Sequence, residues 1–141
     1  MNPQAVQSAL ELGAKIIWMP TVDAANECRL RGKSGGISIY DENDSLLPAL
    51  RSIFALIRGH RAVLATGHLG GEEIFHVVRE ARDAGVEKIV ITHPEYWIVS
   101  LTLEQQEELI RGYGAILERC YRQPLGQQCR AKSGSDAGAW L

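Results

Sequence analysis

Apolar positions along this chain alternate between helical stripes and short, nearly continuous runs. Val6, Ala9 and Leu10 share one helical face, opened by Asn2 and Pro3 and closed by Gly13. Asn caps the open N–H groups of a first turn, Pro is tolerated at the first helical position, and Gly commonly ends a helix. Residues 15–19 then form a short apolar run with β-favouring side chains, of the kind that suits a parallel strand buried on both faces. The same two-part unit recurs. Behind Pro48, a stripe of Leu50, Ile53, Phe54 and Ile57 ends at Gly59 and is followed by a strand over 62–66. Ile74, Val77, Val78 and Ala81 make the next stripe, closed by Gly85 ahead of a strand over 88–92. Thr102 with Gln105 reads as a capping box that opens a helix through Leu109 and Ile110. After Gly114, residues 115–118 complete a fourth strand.

The strand centres Leu64, Val90 and Ile116 are 26 residues apart in both intervals, one strand, one helix and two loops per unit. This regular alternation predicts an α/β fold of four parallel βα units. The first interval is longer because 21–47 is an insertion, in which 37–40, between Gly35-Gly36 and the acidic residues 41–44, suggests a small surface hairpin. Loops of that length often serve as lids or binding elements. From Gln123 the pattern fails, so the chain reads as one domain over 1–122 and a mobile tail over 123–141.

Parallel βα units are right-handed, and all their strands end at one edge, where barrels and open α/β sheets carry their sites. Three strands end there in polar residues: Thr21 and Asp23 after the first, Thr66, Gly67 and His68 after the second, Thr92, His93 and Glu95 after the third. Two successive units thus place a histidine just past a threonine. Neutral imidazoles from adjacent strands converge naturally on one metal ion, although each can equally bond a neighbouring loop. Gly67, Gly70 and Gly71 permit close backbone approach around His68. The open N–H groups of a helix beginning near Glu72 offer a weaker, anion-binding reading of the 67–73 loop. His60 is expected on the opposite surface, His76 in solvent, Trp18 in the core and Trp97 beside the His93 loop.

Composition narrows the classes without choosing among them. A net charge of -2 and the lack of a dense basic run argue against a nucleic-acid surface. No apolar stretch approaches the ~18 residues that a membrane span needs. The N-terminus has none of the regions of a signal peptide, so a cytoplasmic protein is expected. Cys28, Cys120 and Cys129 show no metal-type spacing and read as free thiols.

The strings at 13–21 (GAKIIWMPT), 63–69 (VLATGHL) and 89–95 (IVITHPE) resemble an uncharacterised family of amidohydrolase-like, metal-dependent hydrolases, over residues 2 to about 119. The resemblance implies a (β/α)₈ barrel, a TIM barrel, whose metals sit on a His-x-His pair of the first strand, a residue of the fourth, histidines of the fifth and sixth, and an Asp of the eighth. The strands here then correspond to the fourth to seventh, and His68 and His93 to the fifth- and sixth-strand ligands. The chain departs from that pattern: it has no His-x-His and no last-strand Asp, and it is shorter than the ~250 residues of a typical barrel. A truncated product and a diverged half-barrel both fit.

Two functions follow as expectations. In one, a divalent metal such as zinc, held by His68, His93 and a carboxylate, activates water for hydrolysis of a small molecule. Asp23 is the leading third residue, ahead of Glu118 and Glu95. In the other, a catalytically silent remnant binds or scaffolds. Either way the inner face of four such strands lacks cover, and a homodimer is expected.

Overall fold

The computed structural model describes residues 1–120. Asn2 caps the first helix, α1 (Pro3–Glu11), its side chain accepting from the N–H groups of Gln4 and Ala5, with Pro3 in the first turn. Strand β1 (Ile16–Trp18) follows, then α2 (Ala25–Leu30) and α3 (Pro48–Gly59). The remaining elements alternate: β2 (Val63–Ala65), α4 (Gly71–Asp83), β3 (Lys88–Thr92), α5 (Leu103–Tyr113) and β4 (Ile116–Glu118). Thr102 and Gln105 exchange the two bonds of a capping box at the start of α5.

The four strands form one parallel sheet in sequential order, β1-β2-β3-β4. In-register rows run Ile17–Leu64–Ile89 and Trp18–Ala65–Val90–Ile116. Successive rows point to opposite faces, as a strand's period of two requires. Ile17, Leu64, Ile89 and Ile91 are buried beneath helices α1, α3, α4 and α5, which pack side by side in chain order. Leu50, Phe54, Ile57, Ile74, Val77, Val78 and Leu109 supply the helical half of that core.

Among the described residues, the opposite face has no helical layer. Ile16, Trp18 and Ile116 are 37%, 48% and 63% exposed, and Val63 and Val90 are half-buried beside them. The expected burial of β1 on both faces therefore holds on one face only, and Trp18 is not a core residue. All crossovers carry their helices to the same side, which leaves this row without a layer above it.

Residues 21–47 are more structured than a surface hairpin. They contain α2, and Ile39 is completely buried in the main core. Ala24 bridges Ile37, and Tyr40 bridges Leu46 around a turn in which the Asp41 carboxylate accepts from the N–H groups of Asn43 and Ser45. The tail expected from residue 123, with Cys129, lies outside the described residues. Among the described residues, no helix is long and apolar enough to cross a membrane.

Candidate functional site

The ends of β2 and β3 are tied together by their threonines. Thr66 Oγ1 accepts from the N–H of Thr92 at 3.0 Å, and Thr92 Oγ1 accepts from the N–H of Gly67 at 3.2 Å. Both threonines are buried. Gly67 adopts φ +60°, and a Cβ there would lie 2.5 Å from the carbonyl oxygens of Met19 and Pro20. Only glycine fits that crossing, which turns the chain so that His68 N–H reaches Pro20 O at 2.9 Å.

One unit further on, His93 directly follows Thr92, at the same edge of the sheet. The two imidazole centroids are 5.9 Å apart, so the structure brings the sequence-predicted pair together at one edge. His93 sits at φ +48°, a left-handed conformation that costs a non-glycine residue about 1–3 kcal/mol and gathers at functional sites. Its N–H donates to Glu118 O, the last residue of β4. Tyr96 stands beside both histidines, its ring 6.0 Å from His68 and 6.1 Å from His93.

The group that sequence reasoning missed is Glu27. It lies on α2 with its side chain almost fully buried, and its Oε2 is 2.5 Å from His68 Nδ1. A carboxylate can only accept, so the shared proton belongs to Nδ1 and the lone pair of a neutral His68 is on Nε2. The other oxygen, Oε1, accepts from Arg31 Nε at 2.6 Å. Burial on its own raises the Glu27 pKa. Hydrogen bonds from His68 and Arg31, reinforced by their charges, outweigh it and hold the carboxyl below its ordinary value. The preceding residue, Asn26, also serves His68: its amide donates to the carbonyls of His68 at 3.1 Å and Ile98 at 3.0 Å. A legible trace was the Glu27/Arg31 spacing of four, which marks a helical ion pair inside the supposed loop.

Other candidates fall elsewhere. Asp23 is exposed on the turn leaving β1, where its carbonyl accepts from Ile37 N–H. Glu95 is paired with Arg119, which also donates to Gln106. His60 is exposed at the end of α3, as expected. His76 is half-buried against Tyr40, with 3.2 Å from Nδ1 to the phenol oxygen, so its helix face is not simply solvated. Trp97 is 45% exposed and lies under the Arg31 guanidinium, 5.3 Å from Cζ to the ring centroid.

Metal-donor chemistry is present but limited. His93 Nδ1 and Glu118 Oε2 are buried without hydrogen-bond partners among the described residues. Such atoms are costly to leave unpaired, by about 1–3 kcal/mol each. Yet no set of three or more His, Cys, Asp or Glu residues converges as a metal-binding group among the described residues. The residues fit a divalent ion as two imidazole donors, one short of the three protein ligands usual for catalytic zinc.

No curated protein and no solved structure matches the chain. A family model described as a family of unknown function, DUF6282, matches residues 1–118, which covers every strand of the sheet and all of the histidine edge. The chain belongs to the family DUF6282.

Proposed function

We propose that this chain carries the histidine side of a metal-dependent hydrolase site of the amidohydrolase type, on a sheet corresponding to strands four to seven of a (β/α)₈ barrel. The observation that carries the reading is the Glu27–His68 contact. Metal-ligating histidines almost always donate their second ring N–H to a carboxylate or carbonyl, which fixes the tautomer and raises the basicity of the ligating nitrogen. Glu27 does this for His68, at the strand edge shared with His93. His68 and His93 would hold the ion. When bound, it would supply Lewis-acid activation of water for attack on a C–N or ester-like bond.

The chain's own residues have separable tasks. Glu27 keeps the proton on His68 Nδ1, and Arg31 compensates the buried carboxylate. Asn26 fixes the His68 backbone, and Tyr96 walls the space next to the two rings. Among the described residues Cys28 and Cys120 form no disulfide, in keeping with a reducing, cytoplasmic setting.

Zinc titration against a chromogenic chelator tests the proposal. Binding is expected to be weak in the wild type, because two histidines give few deprotonated donors. It should be lost in His93→Ala and weakened about 10–100-fold in Glu27→Gln. Equal affinity in all three proteins would place the metal elsewhere. Loss of affinity in Asp23→Asn would make that carboxylate the third donor. A second reading, a non-catalytic binding or scaffolding protein, draws on the two-histidine donor set, no third donor joining it among the described residues. Zinc binding without turnover across an amide and ester panel would favour it.

A further inference from the structure

Arg31 makes more contacts than charge compensation of Glu27 requires. It follows α2, and its Nε is committed to Glu27 Oε1 at 2.6 Å. Its Cζ lies over the Trp97 ring, 5.3 Å from the centroid, with the Tyr96 phenol within reach of the guanidinium. A hydrogen bond and an aromatic face thus both bear on a guanidinium whose side chain is still 41% exposed. Its terminal nitrogens donate to no carboxylate or carbonyl among the described residues. The same carboxylate that grips Arg31 grips His68, so a single side chain spans the fork and the imidazole. Tyr96 closes the circuit from the other side, its ring 5.9 Å from Trp97 and about equally far from both histidines.

We infer that Arg31 is a specificity residue that receives a carboxylate carried by the substrate, the scissile bond lying toward His68 and His93. This rests on the hydrolytic reading of that site and names its substrate class: a small amide or ester bearing one carboxylate a few bonds from the carbonyl that reacts. A guanidinium fork suits bidentate capture of a planar carboxylate. A monoanion fits better than a dianion, because Glu27 already balances Arg31 and a second negative charge would face the buried carboxylate. An ordinary helical Glu–Arg pair would need only a positive charge at this position, and lysine would serve it as well.

The test is an NMR titration of the metal-free protein, read at the Arg31 Nε–H and the Trp97 indole N–H. The probes are N-acetylglycine, its neutral amide and inorganic phosphate. N-acetylglycine should shift both signals saturably, the amide should not, and phosphate should bind more weakly. Arg31→Lys keeps the charge beside Glu27, and a thermal melt checks its fold. It should bind N-acetylglycine about tenfold more weakly or worse. Equal binding of acid and amide, no binding of the acid, or an unchanged affinity in Arg31→Lys overturns the inference. Zinc-loaded protein separates this idea from the one beneath it. If the carboxylate binds through Arg31 but no amide or ester is turned over, the anion site stands and the hydrolytic reading falls. If neutral substrates are hydrolysed as well as carboxylated ones, and Arg31→Lys leaves both KM values alone, the hydrolytic reading stands and this inference falls.

Discussion

Glu27 places a negative charge where water cannot reach it, and only two partners make that tolerable. Its pKa is pulled down because those bonds outweigh the effect of burial. A carboxylate with a folded pKa below its unfolded value stabilises the fold above the unfolded value, about 4.3. That contribution is lost as pH falls through the folded pKa. The stability gap between wild type and Glu27→Gln should therefore be present at neutral pH, at about 1–3 kcal/mol, and should shrink in acid. Urea unfolding at a series of pH values measures it, and a gap that does not change with pH would contradict the account. Gly67 gives a second residue-scale expectation. Gly67→Ala combines a left-handed φ with two carbonyl clashes. It should cost at least about 1–3 kcal/mol and lower the melting temperature. An unchanged melt would show that the β1–β2 crossing relaxes freely.

Helix α2 is the element that turns two neighbouring strand ends into a site. Asn26 and Glu27, adjacent in sequence, hold His68 by its carbonyl and its ring, and Asn26 also holds the loop after His93 through Ile98. Asn26→Leu should leave those two carbonyls without their donor, costing about 1–3 kcal/mol. Hydrogen exchange should report the loss as faster opening of α2 and of the 93–98 loop. Exchange confined to its wild-type pattern would remove α2 from this role. The regular units were legible because each strand and helix declares its own period, and Asn2, Thr102 and Gly114 mark their ends. His68 and His93 were legible for the same reason, each standing just past the threonine at the end of its strand. Helix α2 was not, since six residues are too few for an apolar stripe, and its inward side chains are Asn26 and Glu27, which pattern alone assigns to solvent. Ile39 was misread likewise. The four residues 37–40, between glycines and acids, are too short a run to show that Ile39 is buried while Ile37 is exposed.

Among the described residues, the exposed sheet face and the unpaired edges of β1 and β4 make up one physical problem. Ile16, Trp18 and Ile116 lie on a contiguous apolar surface that also includes Val63 and Val90. Large surfaces of this kind are rare on soluble monomers, and unpaired edges invite further strands. A second copy presents the identical apolar face, so a two-fold pair buries both at once. Light scattering at micromolar concentration should report a dimer, and Trp18→Glu with Ile116→Lys should return it to a monomer. A well-folded wild-type monomer would contradict this. All four histidines can be read in one experiment, a long-range imidazole NMR spectrum recorded with and without zinc. His68 should appear as the Nδ1–H tautomer before zinc is added. Zinc should then shift the His68 and His93 rings together and leave His60 and His76 unmoved. A proton on His68 Nε2, or a zinc response at His60 or His76 in place of the edge pair, would contradict the account.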